Sequence, residues 1–321
     1  MSVLIISNSL DVHSDVVGSA LINAGEAIVR LDTDHFFEDG AELSFFSPHG
    51  GKITLKGEGV QLSEIRSVLY RRPEPIKINV ADAGQRKFAD RELKEFLEHL
   101  YFGLGDAFWV SKLTALTQSR HKGLQLNLAR SVGLKTPRTI ITNSPREVER
   151  FFGFCKGRVI YKTLRFPTIE PGSGDAVWGV PTTVVTQKEM HDINLIRNSG
   201  GIFQEYVEKS FEVRVTVVGD AVFSAKIDSQ SDEASKIDWR DGVVFGRVPV
   251  TSYALPRDIE DKCLEIVRKF DLHFGAIDLI CTPEGEYVFL EINPNGQWLW
   301  VEELTHQPIL QTMVRLLSKR A

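Results

Sequence analysis

Two acidic side chains and an amide lie in two neighbouring apolar runs near the end of the chain. Asp278 lies within "FGAIDLIC", and Glu291 and Asn293 end the run "YVFLEIN". Because side chains alternate along a strand, Glu291 and Asn293 share one face, and antiparallel pairing through the turn "TPEGE" can bring Asp278 beside them. Two carboxylates and an amide carbonyl favour Mg²⁺, which takes its remaining ligands from water and substrate phosphates. The alternative is a solvated sheet face, although facing like charges are unfavourable without a cation.

Basic residues elsewhere in the chain are suited to bind metal-bound phosphates. Lys162 lies in the strand-like run "VIYKTL", where a charge needs a partner. Lys122 stands near a helix start in "SRHKGLQL", and a solvated lysine is the alternative there. Arg214 shares a strand face with Glu212, so a salt bridge across the sheet would also explain this pair. The "GSG" stretch at 172–174 predicts a lid whose backbone amides bind anions.

Composition narrows the classes of function. The chain has 321 residues, 42% hydrophobic and 25% charged, which predicts two or three globular domains. A formal net charge of −5 argues against nucleic acid as a partner and favours a small molecule or a peptide. The start "MSVLIISNSLDVHSD" lacks a signal-peptide pattern and no apolar run approaches ~20 residues, so we expect a cytoplasmic protein that does not bind a membrane. Wide spacing predicts reduced core thiols at Cys155, Cys263 and Cys281.

The first third of the chain has the pattern of a small α/β domain. The run "VLIIS", a helix ending near Gly25 and the run "AIVRLD" predict a βαβ start. A hairpin around "PHGG", a strand in "SVLYRRPEP", the helix "FADRELKEFLEHLYFGL" and the strand-like "FWVS" complete a unit near residue 110. This order predicts a doubly wound α/β domain.

The remaining two thirds contain the elements that must position the polar residues. A helix that breaks at Gly133 and the strand "TIIT" precede a helix with Ser144 at its N-cap and Pro145 at its first position. The segment after Lys162 has several breakers and little periodicity, as in a loop. Strands are then predicted from "IFQEYV" to "VFGRVPV", followed by the helix "PRDIEDKCLEIVRKFD", the two acidic strands and a closing helix from about residue 307.

The order of these motifs resembles the ATP-grasp fold. Lys122, Lys162, the glycine-rich loop, "QEYVEKSFEVRV", Asp278 and "EIN" follow one another as in that fold, from about residue 111 to the end. The first unit is similar to a pre-ATP-grasp domain. Within the superfamily, "RRP", "DWR" and above all "EINPNGQW" resemble the microviridin-type ligases, which cyclise ribosomal precursor peptides into graspetides.

The resemblance implies a fold class and a division into domains. It implies an α/β protein with α+β lobes, an ATP-grasp fold preceded by a doubly wound pre-ATP-grasp domain. That domain would occupy residues 1–110, a central domain with the phosphate lid residues 111–200, and a C-terminal domain with the metal site residues 201–321. The family also suggests a homodimer.

The resemblance further implies ATP and Mg²⁺ as cofactors and gives each polar residue a role. Lys122 and Lys162 would hold the ATP phosphates, and Glu212 would contact the ribose. Arg214 would stabilise the transferred phosphoryl group, so that Arg214 and Lys162 are the candidate catalytic residues. Asp278, Glu291 and Asn293 would hold Mg²⁺. The hinge between the lobes, whose backbone binds adenine, would consist of Gln204, Glu205, Tyr206 and Val207.

The leading hypothesis is therefore an ATP-dependent macrocyclase. It would phosphorylate Asp or Glu side chains of a precursor peptide and join the acylphosphates to Thr or Ser hydroxyls, or to Lys amines, releasing ADP and phosphate. Two alternatives stay open. One is an ATP-grasp ligase that adds an amino acid to a protein terminus or small acid, and the other is a nucleotide-binding regulator without turnover.

Three segments are candidates for binding the leader and core of that peptide. "DWR" lies in a predicted hairpin beside the cleft, where its arginine would attract an acidic peptide and its tryptophan would pack on the chain or anchor the hairpin. The arginines of "RRP" would face substrate carboxylates or pair within the fold. Two acids on a predicted surface helix would pair with a basic leader residue or only be solvated. The candidates are Arg71, Arg72, Glu189, Asp192, Asp238, Trp239 and Arg240.

Overall fold

The N-terminal region is a parallel sheet with flanking helices. A computed structural model describes residues 1–46, 50–165, 168–169 and 178–319. The first elements are β1 (Ser2–Ser7), α1 (Val12–Asn23), β2 (Ile28–Asp32), β3 (Glu42–Phe46), β4 (Gly50–Leu55), β5 (Glu58–Gln61), β6 (Ile65–Tyr70), α2 (Ala83–Gly103) and β7 (Phe108–Val110). Strands β2, β1, β6 and β7 are parallel neighbours in that order, and β3, β4 and β5 form a separate antiparallel sheet. The predicted βαβ start and hairpin are confirmed.

The middle region is built around a small antiparallel sheet. Its elements are α3 (Leu113–Ser119), α4 (Lys122–Ser131), β8 (Thr139–Thr142), α5 (Pro145–Phe154), β9 (Val159–Lys162), β10 (Thr168–Ile169), β11 (Trp178–Gly179), β12 (Thr183–Val184), α6 (Gln187–His191) and β13 (Gly201–Glu205). The sheet order is β12, β9, β13, β8. Ser144 accepts a hydrogen bond from the Glu147 N–H and caps α5, as predicted. The predicted surface helix that carries Glu189 and Asp192 is shorter than expected, because α6 ends at His191 and a 3-10 turn follows at Ile193–Asn198.

The C-terminal region is a five-stranded antiparallel sheet with helices on both faces. Its elements are β14 (Phe211–Val218), β15 (Ala221–Ile227), α7 (Arg240–Val244), β16 (Val250–Ser252), α8 (Arg257–Lys269), β17 (Phe274–Cys281), β18 (Tyr287–Asn293), α9 (Leu299–Thr305) and α10 (Ile309–Ser318). The strands lie in the order β16, β15, β14, β17, β18. Among the residues described, every helix is too short or too polar to span a lipid bilayer.

Two predictions for the segment between β15 and β16 are wrong. The predicted strand "VFGRVPV" is a strand only from Val250, and the predicted hairpin around Trp239 is a pair of 3-10 turns followed by α7. The reason is long-range packing, since Trp239 and Val248 form a small core with Ile227 of β15. Burial of these side chains holds the segment against the sheet instead of extending it.

The C-terminal sheet has one covered face and one face that is covered only in part. Val213, Val215 and Val217 of β14 are buried in the core that includes α8. Because side chains alternate along a strand, the neighbouring Glu212 and Arg214 lie on the opposite face. Helices α9 and α10 and the N-terminal sheet cover that face near Trp298, which is 1% exposed. The rest of this face lines a cleft.

Candidate active site

A cleft of about 700 Å³ lies between the middle sheet and the C-terminal sheet. It has walls from β9, β13, β14, β17 and β18 and from the segment that contains α7. The structure thereby brings together residues that are far apart in the sequence. The predicted site residues that line it are Arg72, Lys162, Gln204, Glu205, Tyr206, Val207, Glu212, Arg214, Asp278, Asp238, Trp239, Arg240, Glu291 and Asn293.

The candidate metal ligands lie on two neighbouring strands, and Arg214 on a third strand extends them into a row. Asp278 of β17 pairs directly with Glu291 of β18 on one side and with Arg214 of β14 on the other. Asn293, two residues beyond Glu291, lies on the same face at the exposed end of β18. The Arg214 Nη1 atom is 3.3 Å from the Asp278 Oδ1 atom. Two carboxylates thus face each other with cations on both sides.

The charges in this row affect the two carboxyl groups differently. Burial raises the pKa of Asp278 to about 6, an effect that Arg214 opposes and Glu291 reinforces. Burial also works against ionisation of Glu291, but the Lys122 ammonium and then Lys162 lower its pKa to about 2. Glu291 therefore carries a negative charge, and a cation bound beside Asp278 would lower the pKa of that second carboxyl group.

The chemistry of this donor set fits Mg²⁺. The ion prefers carboxylate and amide oxygens and keeps water or phosphate as further ligands. Within the described part of the chain, no group of three or more His, Cys, Asp or Glu side chains is arranged to hold a metal. A site here therefore depends on the amide oxygen of Asn293 beside Asp278 and Glu291.

The two predicted phosphate-binding lysines come from different elements, Lys122 from α4 and Lys162 from β9. The Lys122 ammonium, at the start of α4, contacts the Glu291 carboxylate. The Lys162 Nζ atom donates to the Gln204 Oε1 atom at 3.1 Å. The pKa of Lys162 is lowered. Burial is the main cause, Glu291 opposes it, and the nearby Lys122 charge adds to it. A half-buried ammonium with a neutral amide partner is well placed to attract an anion.

The structure adds a residue that the sequence analysis missed. Lys209 is buried, and its Nζ atom lies 2.6 Å from the Glu212 Oε1 atom and 3.2 Å from the Ile237 carbonyl oxygen. Burial raises the pKa of Glu212, and Lys209 opposes that effect. The signal was the lysine three residues before the acid of the predicted strand in "EKSFEVRV", since an acid that becomes buried needs a cation.

The four residues of the predicted hinge line the cleft. The Glu205 side chain pairs with Arg138, and the Arg158 guanidinium lies 5.7 Å from the centre of the Tyr206 ring. The N–H groups of Glu205 and Tyr206 donate to the carbonyls of Arg138 and Arg158 at 2.9 and 3.0 Å. Apolar side chains line the cleft around the hinge, at Ile160, Val207, Ile237, Ile280 and Leu290. The adenine role of the hinge stays a prediction.

Arg214 lies beside two tryptophan rings that pack on each other. Its guanidinium lies 5.2 Å from the centre of the Trp239 ring and 5.8 Å from that of Trp300. Its buried Nε atom has no hydrogen-bond partner among the described residues. Aromatic faces fix a guanidinium without using its donors. Arg214 thus lines the cleft, with its guanidinium fixed by the tryptophan rings and by Asp278.

The three residues of "DWR" take different positions. Trp239 is 9% exposed and packs on Trp300, with 5.1 Å between the ring centres. Arg240 is exposed and pairs with Asp238, with 2.7 Å between the Arg240 Nε and Asp238 Oδ1 atoms. That hydrogen bond raises the pKa of Arg240 above its ordinary value, and burial only partly opposes this effect. Contact of these residues with a substrate stays a prediction.

A second cavity of about 300 Å³ adjoins the cleft beyond Glu291. Its lining is strongly basic and includes Arg120, which the sequence analysis did not single out although "SRHK" is a basic cluster. The basic residues are Arg120, Lys122, Lys162, Arg165 and Arg240. The "GSG" stretch predicted to close over phosphates lies outside the described residues.

Two of the remaining predicted substrate residues directly follow β6, and the other two lie in or just after α6. Arg71 is 4% exposed and contacts Asp11, whereas Arg72 is exposed at the edge of the cleft. Glu189 belongs to the capping box of α6 and accepts from the Thr186 N–H at 2.9 Å. Asp192 follows α6 and is exposed. Leader binding by these acids stays a prediction.

Two family models match consecutive parts of the chain. The MvdD pre-ATP grasp domain matches residues 2–117, and the RimK-like ATP-grasp domain matches residues 117–317. The second match covers more than half of the chain. No curated protein sequence gave a significant match.

Solved structures resemble the chain over nearly its whole length. Macrocyclase MdnC of Microcystis aeruginosa MRC, bound with precursor peptide MdnA, is 30% identical, with 99% of each chain covered and a TM-score of 0.87. A RiPP-associated ATP-grasp ligase of Chryseobacterium gregarium, in complex with ADP and a leader and core peptide, is 31% identical, with 100% of this chain and 98% of that chain covered and a TM-score of 0.87. Macrocyclase MdnB of Microcystis aeruginosa MRC is 27% identical, with 99% of each chain covered and a TM-score of 0.82.

Proposed function

This chain belongs to the RimK-like ATP-grasp family of ATP-dependent ligases, and on that premise we propose that it is a macrocyclase of a ribosomal precursor peptide. The observation that carries the proposal is the row Arg214, Asp278, Glu291, which shares one cleft with Lys162 and the hinge residues. The row can bind the charged end of a nucleotide while the apolar lining near the hinge receives its base. Relatives of similar length are macrocyclases or peptide-bound ligases.

The proposed reaction has two steps. A side-chain carboxylate of the peptide attacks the γ-phosphorus of ATP, the bond to the β-phosphate oxygen breaks, and ADP leaves. A hydroxyl or amine of the same peptide then attacks the acyl carbon, loses its proton and expels phosphate. The product is a lactone or a lactam. Catalysis consists mainly of positioning and charge neutralisation.

The proposal gives a role to each residue predicted to bind the nucleotide or the metal. Lys122 and Lys162 bind the phosphates, and Arg214 donates to the phosphoryl group as charge moves onto its bridging oxygen. Asp278, Glu291 and Asn293 hold Mg²⁺, which when bound neutralises phosphate charge. Glu212 contacts the ribose, and Lys209 holds the Glu212 carboxylate in place. The adenine binds to the backbone of Gln204, Glu205, Tyr206 and Val207.

An acidic peptide is the substrate class that suits the surroundings of the row. The basic second cavity opens beside Glu291 and Asn293, where an incoming carboxylate must approach a bound nucleotide. Arg240 lines both cavities. We include in the proposal domains at 1–110, 111–200 and 201–321, a homodimer, and a cytoplasmic location, where a ribosomal precursor is made.

The nucleotide products separate this proposal from its alternatives. With an acidic precursor peptide, ATP and Mg²⁺, we expect ADP and phosphate to appear only when the peptide is present, because the carboxylate attacks the γ-phosphorus. Phosphorus NMR and chromatography of the nucleotides measure both products. AMP with pyrophosphate would contradict the acylphosphate route. Turnover with a free amino acid and a small acid would favour the amino-acid ligase, and nucleotide binding without turnover would favour the regulator.

Leader recognition is testable at the end of α6. We expect Asp192→Lys to weaken precursor binding by about 1 kcal/mol, or about fivefold, and to leave ATP affinity unchanged, because one exposed ion pair is lost. Glu189 is a poorer probe, since its reversal would also remove the helix cap. Isothermal titration of the precursor measures the effect, and Glu284→Lys, exposed in the turn before β18, is the matched control. Equal affinity of Asp192→Lys and the control would refute this site.

A further inference from the structure

The loop that follows β18 is held by the N-terminal domain. We define the metal-site loop as residues 294–298, which continue directly from the candidate ligand Asn293. The Arg71 Nη1 atom, from the end of β6, donates to the carbonyls of Gly296 at 3.1 Å and Asn295 at 3.4 Å. In return, the Asn295 Nδ2 atom donates to the Arg71 carbonyl at 2.6 Å. Arg71 and Asn295 therefore hold each other through both backbone and side-chain atoms.

The same loop orients the metal ligand. The Asn295 N–H donates to the Asn293 Oδ1 atom at 3.0 Å. An amide oxygen has two lone pairs, so this atom can accept that hydrogen bond and still bind a cation. Asn293 is exposed at the end of its strand and lacks the packing that would otherwise fix its rotamer. The Asn295 N–H is thus the contact that aims the oxygen.

Arg71 is itself rigidly held. It is 4% exposed, and its Nε atom lies 3.4 Å from the Asp11 Oδ2 atom. The same carboxylate oxygen accepts from the hydroxyls of Ser7 at 3.0 Å and Ser14 at 2.5 Å. A buried charge persists only with a partner and hydrogen bonds, and this network supplies both. The N-terminal domain therefore offers the loop a fixed donor.

Two further contacts hold the far end of the loop. The His13 Nε2 atom accepts from the N–H groups of Trp298 at 3.1 Å and Leu299 at 3.3 Å, and its ring packs edge-on against Trp298. At Gly296, a Cβ atom would lie 2.4 Å from the Ala276 Cβ atom. Ala276 pairs with Asn293 in the sheet. The loop thus lies against the strand that carries Asp278.

We propose that Arg71 is a positioning residue for the Mg²⁺ ligand Asn293, acting through Asn295, so that the N-terminal domain sets the metal affinity of the active site. The inference rests on the proposed Mg²⁺ site. Groups that orient a metal ligand without touching the ion typically change metal affinity by about 10–100-fold when replaced. Arg71 does this from a different domain, which gives the N-terminal domain a part in the chemistry.

The test compares Arg71→Lys and Asn295→Ala with the wild type. Mn²⁺ serves as the probe, and electron paramagnetic resonance measures its affinity in the presence of ADP. We expect both variants to bind Mn²⁺ about 10–100-fold more weakly, while their affinity for ADP without metal is unchanged. The Mg²⁺ concentration that half-saturates ATP turnover should rise by the same factor, and turnover should recover at saturating Mg²⁺. Hydrogen exchange should accelerate at residues 294–299.

Ser67→Ala is the matched control. The Ser67 Oγ atom donates to the Leu317 carbonyl at 2.7 Å, a buried bond between the same two regions that does not touch the loop. Its metal affinity should equal that of the wild type. Asn295 is only half-buried, so we expect Asn295→Ala to fold. If Arg71→Lys does not fold, Asn295→Ala alone provides the test. Mn²⁺ affinity within twofold of wild type in folded Asn295→Ala would overturn the inference, whereas a wild type that binds no Mn²⁺ with ADP would overturn the metal site itself.

Discussion

Glu291→Gln is expected to lower ATP turnover by about a thousandfold while the protein stays folded, because the proposed metal ligand, worth about 4 kcal/mol of phosphate-charge stabilisation, is lost. The change removes the charge with little change in volume. It also removes the partner of Lys122. Turnover is measured by phosphate release at saturating ATP, and circular dichroism checks the fold.

The control for this variant lies on the same hairpin. Glu286→Gln makes the same chemical change in the turn before β18, where Glu286 forms an exposed pair with Lys135. Exposed pairs contribute little, so turnover should stay within about twofold of the wild type. Near-normal turnover in Glu291→Gln would remove this residue from the metal site, and equal losses in both variants would point to a general disturbance of the hairpin.

Arg214→Met is expected to lower kcat by about a hundredfold and to leave ATP affinity within a few-fold, since removing a donor to developing charge typically costs about 3 kcal/mol. Methionine keeps much of the side-chain volume beside the Trp239 and Trp300 rings, which Arg214→Ala would leave empty. Single-turnover kinetics and nucleotide titration separate kcat from binding. The lysines act in both ground and transition states, so their loss should reduce affinity as well.

Arg268→Met is the control for Arg214. Arg268 pairs with Asp220 at 2.7 Å on the surface, and both side chains are exposed. The substitution removes the same charge far from the cleft and should leave kcat unchanged. Loss of ATP affinity in Arg214→Met with kcat unchanged would show uniform binding and contradict a role specific to the transition state.

Sequence reasoning succeeded where local periodicity determines the outcome. The pairing of Asp278 with Glu291 follows from two strands joined by a short turn, and the face shared by Glu212 and Arg214 follows from alternation along one strand. The N-terminal βαβ unit follows from apolar runs of ordinary length. In each case the decisive contacts are between neighbours in the chain.

It failed where the outcome depends on contacts between distant segments. The segment around Trp239 packs as turns and a helix because its side chains are buried against β15. Helix α9 was not predicted, although it covers the sheet near Trp298. For Arg71 the sequence predicts either substrate binding or structural pairing. Its partners Asp11 and Asn295 lie in parts of the sequence that no local pattern connects to it.

The most direct test of the proposed macrocyclase is the mass of its product. The protein is co-expressed with an acidic precursor peptide encoded beside its gene, and the peptide is weighed by high-resolution mass spectrometry. We expect the loss of one water molecule for each ring, with fragments that place each new bond between an Asp or Glu and a Thr, Ser or Lys of the core. The Glu291→Gln protein should leave the peptide unchanged. A precursor that keeps its full mass beside active wild-type enzyme, or one that gains an amino acid, would contradict macrocyclisation.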